Sequence, residues 1–249
     1  MPRLQLPLHQ RVWKAASPSH ANIDYTTSPG DALACLVYAS STNVPNGILI
    51  CGDSLFTNSD PVYPKLRDAI RDFVLAKGGR VAVMGGSMSA GFDVLETFLH
   101  SMGVTWKPYQ WWRTTYKYNP AFAAPNPPLT PATVAHLGRQ KTRPSATPFP
   151  ASWTMGASML KKEDELSYYT KGSTLQDVPD DEAVFIPTPG AVASLSRTPV
   201  EKGVTSVAMK QVGTTDGWIG YVADTEMIDE TVPIVLGMLG CDLKEGRSS

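Results

Sequence analysis

Between residues 45 and 103, short apolar runs alternate with stretches in which apolar residues recur every three or four positions. Gly47–Cys51 (GILIC) is an apolar run closed by Gly52, the pattern of a strand buried on both faces. The period then changes. Val62, Leu66, Ala69, Ile70, Phe73 and Val74 share one side of a helix, and Lys65, Arg67, Arg71 and Asp72 fill the other. Asp60-Pro61 supplies a cap and a first-turn proline, and Gly78-Gly79 supplies the stop. Arg80–Met84 (RVAVM) is a second buried strand, followed by the turn Gly85–Gly91 (GGSMSAG). A second helix carries Phe92, Leu95, Phe98, Leu99 and Met102 and ends at Gly103. Strand–helix–strand–helix with short connections predicts a parallel sheet, with Ile48–Cys51 and Val81–Met84 as neighbours across a right-handed crossover.

Asp31–Ser40 fits a strand or a helix; Ser28-Pro29-Gly30-Asp31 in front of it has the cap, proline and acid of a helix start, which favours the helix. A strand is expected before it at His9–Ala15. Downstream, Asp181–Thr188, Val204–Val212 and Trp218–Ala223 read as strands, with Gly213–Gly217 (GTTDG) as a hairpin turn between the last two. Thr225–Leu239 reads as a closing helix whose start Pro233 makes irregular. The middle breaks the pattern. From Thr97 to Lys162 there is no acid, while Trp106–Tyr118 (WKPYQWWRTTYKY) interleaves aromatics with cations and the stretch to Pro150 is rich in proline. We read about 105–160 as an irregular excursion from one domain that spans 1–249.

Composition narrows the function classes. A chain of 249 residues, 42% apolar and 18% charged, buries roughly 70–75% of its unfolded surface. No apolar run approaches the ~20 residues of a membrane-spanning helix. A net charge of −1 argues against a globally basic nucleic-acid binder and leaves room for a local basic patch. Cys35, Cys51 and Cys241 are far apart and the four histidines have no zinc-ligand spacing, so no metal or cofactor is expected. Sparse, odd cysteines suit a reducing compartment and a cytoplasmic location. The first 23 residues hold Arg3, Arg11 and Lys14 and no acid, as transit segments do, but Leu4–Leu8 is too short for a secretory core.

Ligands of open parallel sheets sit beyond the carboxyl ends of the strands. Two such ends are marked here, Gly52-Asp53 and Gly86-Ser87-Met88-Ser89. Ser87 or Ser89 on a tight strand-to-helix turn has the placement of a nucleophile, with backbone N–H groups ready to hold an oxyanion. Either serine equally serves as a plain helix cap. Asp53 suits an acid, a base or a hydrogen-bond acceptor, or a turn residue bonding its own backbone. A serine nucleophile needs a base. His100 falls near the end of the second helix, facing away, which leaves His136. Trp111, Trp112 and Arg113 fit the wall of a site for a flat, anionic or sugar-like small molecule, or for a single-stranded nucleic acid. The alternation of Trp106, Trp112, Thr114, Tyr116 and Tyr118 favours instead an amphipathic strand packed beneath the excursion. Asp224 and Cys51 read first as a helix cap and as packing.

Residues 45–103 resemble class I glutamine amidotransferase-like domains, in which a strand ending in glycines, a helix and a second strand lead into a G-x-C-x-G-x-Q turn. Val204–Leu239 is similar to the ThuA-like branch of that superfamily. The resemblance implies a three-layer α/β/α sandwich of flavodoxin-like topology with a mostly parallel sheet. In that register Ser87 stands where the family has its cysteine, Ser89 replaces a glycine and Gly91 the glutamine. The histidine expected near Tyr221–Asp224 (YVAD) is absent. Glutamine hydrolysis by the family route is therefore not expected. Ser89-Ala90-Gly91 also matches the end of the G-x-S-A-G turn of the peptidase E and cyanophycinase group, which keeps a serine hydrolase in view. The expectation is a hydrolase or lyase acting on a small molecule; the alternative is a silent binding or scaffold protein that keeps the fold.

Overall fold

The computed structural model describes residues 26–37, 45, 47–85, 91–119, 121–122, 167–194, 197–224 and 231–240. The helices are α1 (Pro29–Val37), α2 (Ser54–Thr57), α3 (Val62–Lys77), α4 (Phe92–Ser101) and α5 (Thr231–Met238). The strands are β1 (Gly47–Ile50), β2 (Arg80–Met84), β3 (Lys107–Tyr118), β4 (Ser167–Gln176), β5 (Ala183–Pro187), β6 (Val207–Val212) and β7 (Gly217–Val222). The ambiguous segment after Pro29 is helical because Ser28 caps it: the Asp31 amide donates to Ser28 Oγ over 3.2 Å. The α3 start works similarly, with the Val62 amide on Asp60 Oδ1 at 2.9 Å, and Gly78 ends that helix at φ 70°.

The seven strands form one open mixed sheet in the order β1-β2-β7-β6-β5-β3-β4. The predicted pairing of the first two strands is present and parallel, with Ile48 beside Val81 and Ile50 beside Val83. β7 joins β2 in parallel; β6, β5, β3 and β4 follow in antiparallel pairs. Five strands thus point one way, with β3 and β6 opposed. The predicted hairpin turn explains one reversal, since Val212 pairs with Gly217 across it. Lys107–Tyr118 is a strand, as the alternation of its aromatics suggests, with a register shift between Pro108 and Trp111. One element departs from expectation: Ser167–Gln176, which has no strong apolar alternation, is its partner.

Alternation along β2 and β7 sends side chains to two cores. Val81, Val83, Ile219 and Tyr221 join Leu66, Ile70, Phe73, Leu95 and Phe98 of α3 and α4. Ala82, Met84, Trp218 and Val222 join Val232, Val235 and Met238 of α5. Helices therefore cover both faces of the central strands. Gly217 makes this packing possible, because a Cβ there would lie 2.2 Å from the Val74 carbonyl oxygen of α3. No described helix is long and apolar enough to cross a membrane.

Candidate functional site

The carboxyl ends of β1, β2 and β7 lie side by side. After β1, Gly52 and Asp53 are exposed. The Asp53 main chain makes the turn: its carbonyl accepts from the Phe56 and Thr57 amides at 2.8 and 3.0 Å. Its carboxylate makes no capping bond and stands in solvent. Arg67 of α3 braces this loop from below, with Nη1 on the Leu55 carbonyl at 2.6 Å. Gly86, Ser87, Met88 and Ser89, the other half of the expected site, lie outside the described residues, as does His136. The entry to α4 beyond them is described. Gly91 has φ 76°, and a Cβ there would come within 2.8 Å of the Phe56 carbonyl oxygen, so the segments following β1 and β2 touch. The rings of Phe56 and Phe98 meet behind this contact at 5.6 Å.

β4 crosses the carboxyl end of β7. Gly172 abuts Ala223, where a Cβ would lie 2.7 Å from the carbonyl carbon, and Leu175 bridges to Thr205 just before β6. Tyr221 Oη donates to the Ser173 carbonyl at 2.6 Å. Burial holds the pKa of the Tyr221 and Tyr116 phenols well above the usual range, so both are neutral at physiological pH. Tyr116 Oη and Ser206 Oγ are buried without a hydrogen-bond partner among the described residues. Asp224 is fully buried and accepts a hydrogen bond from the Thr231 hydroxyl at the start of α5. It thus ties the last strand to the closing helix, and the strand end where the resembled family keeps its histidine is sealed by β4.

The aromatic run is divided between two environments. Trp106, Trp112 and Tyr116 are buried. Trp112 packs with Ala193 and Val204, while Trp111, beside Ser173 on the neighbouring strand, is 36% exposed. Arg113 is half-buried opposite Lys171. Trp106 Nε1 donates to Glu182 Oε2 at 2.6 Å, and Lys210 sits on the other carboxylate oxygen at 2.8 Å, anchoring the start of β3 across the sheet. By sheet order β3 is remote from β1; only the crossing of the β3–β4 ribbon brings Trp111–Arg113 toward the carboxyl edge. His100 is exposed near Glu96 in the last turns of α4, away from that edge. A separate open cleft of about 540 Å³ lies between Ile186–Pro189 and Val200–Thr205, and none of the expected site residues lines it.

Cys51 is the thiol nearest the candidate edge. It packs against the α5 core, and burial pushes its pKa to about 11. A thiol needs its thiolate form to attack, and a shift from 9.0 to about 11 lowers that fraction roughly 100-fold at neutral pH. Iodoacetamide at pH 7.5 is expected to alkylate Cys51 at least tenfold more slowly than the exposed Cys35, with the Cys51 rate still climbing above pH 9. Peptide mass spectrometry over time measures both rates. Equal rates at pH 7.5 would restore Cys51 as a candidate nucleophile.

Among the described residues no group of histidine, cysteine and acidic side chains could hold a metal ion. No family model, no curated protein and no solved structure matches this chain.

Proposed function

We propose that the chain is a cytoplasmic three-layer α/β/α protein of flavodoxin-like topology, belonging to the ThuA-like branch of the class I glutamine amidotransferase-like superfamily. Its site binds a small molecule at the carboxyl edge of β1 and β2, and its chemistry is that of a hydrolase or lyase without glutaminase activity. The observation that carries this reading is the contact of Gly91 with Phe56: the segments after two adjacent parallel strands converge, as a shared crevice requires. Ser87 or Ser89 would be the nucleophile, the exposed Asp53 an acid, base or acceptor, and His136 the base. Gly52, Gly86, Met88, Trp111 and Arg113 would line the ligand; Trp112, expected beside them, is covered by Ala193 and Val204. Helices on both faces of the central strands support the layer assignment.

A fluorophosphonate probe tests the serine directly, since the serine oxygen displaces fluoride from phosphorus and keeps the phosphonyl group. Labelling of Ser87 or Ser89 is expected by peptide mass spectrometry, with a loss of at least ~10-fold in Asp53→Asn if that carboxylate assists proton transfer. The sealed end of β7 favours a second reading, the silent binding or scaffold protein. Absence of label on both serines would decide for it.

A further inference from the structure

The cleft of about 540 Å³ between Ile186–Pro189 and Val200–Thr205 opens where the sheet divides. β5 stays beside β6 only as far as Phe185, opposite Val207. Just before β6 the chain turns away to β4, where Thr205 and Leu175 exchange main-chain bonds of 2.9 and 3.0 Å. Pro187 and Pro189 in the other wall have no amide to donate across the gap, so the two walls do not close into sheet. The base of the gap is fixed, because the Thr205 hydroxyl donates to the Phe185 carbonyl.

Much of the lining is apolar, with Val178, Ile186, Pro187 and Val204 among the walls. Three charged side chains also line it, Asp180, Glu201 and Lys202, all of them exposed residues. Glu201 is engaged, since the Tyr109 hydroxyl donates to its carboxylate. Asp180 and Lys202 make no ion pair, with each other or with any other described residue. Asn119 Nδ2 pins the main chain at Asp180 by donating to its carbonyl at 2.7 Å. Two opposite charges thus stand unpaired around one largely apolar cleft. A lone cation there meets Lys202, and a lone anion meets Asp180. A molecule that carries both signs satisfies each group and avoids both repulsions. The volume falls within the ~300–1,000 Å³ of small-molecule sites.

We propose that this cleft binds a small apolar zwitterion, with Asp180 taking its ammonium group, Lys202 its carboxylate, and Ile186, Pro187 and Val204 its aliphatic part. A free amino acid and a short free peptide both have this chemistry. The cleft shares no residue with the edge site proposed above, and the inference does not rest on that site's chemistry.

Isothermal titration calorimetry of the full chain tests it, with leucine and leucyl-leucine as probes and their N-acetyl and C-terminal amide forms as controls. Blocking either charge of the probe is expected to weaken binding about tenfold. Asp180→Asn should weaken the free probe by a similar factor and leave its N-acetyl form unchanged. Lys202→Gln should weaken the free probe and leave its amide form unchanged. Both residues are exposed, so neither change endangers the fold, which an unaltered Tm verifies. The tighter of the two probes tells whether the occupant is an amino acid or a peptide. Absence of binding by both at millimolar concentration would overturn the proposal. So would binding that neither variant weakens, a loss confined to one variant, the mark of a simple cation or anion site, or a loss that is equal for free and blocked probes.

Discussion

Neither the wild type nor the Ser87→Cys variant is expected to hydrolyse glutamine. The family's route needs a thiolate and an imidazole together. A thiol of ordinary pKa ~8.5 is only a few per cent ionised at neutral pH. The strand end where the family keeps its histidine carries Tyr221-Val222-Ala223-Asp224. Asp224 cannot take over, because it is fully buried, is engaged by Thr231 and lies beneath β4. A second negative charge beside a thiol would in any case raise its pKa. Loss of a general base typically costs about 10²–10⁴-fold. Ammonia release from glutamine is to be measured for the wild type, Ser87→Cys and Ser87→Ala. Turnover by either of the first two that disappears in Ser87→Ala would mean a base reaches this serine after all, and His136 would be the residue to test next.

Gly85→Ala is expected to be the most damaging conservative change at the carboxyl edge. A Cβ at this position would lie 1.7 Å from Tyr221 Oη and 2.1 Å from Cζ. Tyr221 is fully buried and its hydroxyl is bound to the Ser173 carbonyl, so the ring cannot move without releasing β4. Overpacking and a lost buried hydrogen bond together put the destabilisation at about 3 kcal/mol or more. For a chain of this length that corresponds to roughly 6–12 °C in Tm. Gly52→Ala is the control, since nothing lies within 4 Å of a Cβ there, and its effect should stay within about 0.5 kcal/mol. Urea denaturation of the two variants and the wild type reads the difference. A loss below about 1 kcal/mol in Gly85→Ala would show that Tyr221 yields easily and that β4 is not held by it.

Parts of the candidate site are legible in the sequence itself. The run GILIC ended by Gly52-Asp53, and RVAVM ended by glycine, mark two strand ends, and those strands are neighbours. The capping bonds of Ser28 and Asp60 agree with the residue types that predicted them. The alternation in the aromatic run favours packing over a ligand wall, and it leaves open what each ring packs against. Trp106 is buried because Glu182, far along the chain, receives its N–H, and Trp112 because Ala193 and Val204 cover it.

The sequence by itself determined the βαβ unit of residues 47–101, the capped start of α1 and the β6–β7 hairpin. Each rests on periodicity, caps or turn residues that act within a few positions of one another. It also determined that the turn after β2 carries serines and no cysteine, and that no histidine follows His136. Only the tertiary structure decided that Ser167–Gln176 is a strand, because that segment has little apolar alternation and takes its conformation from pairing with β3. The same holds for the sealing of β7. Gly172, Ser173, Tyr221 and Ala223 are distant in sequence, and their meeting depends on where a whole ribbon folds back over the sheet. Burial and pairing of this kind are sums over non-local contacts, which a window of a few residues does not contain.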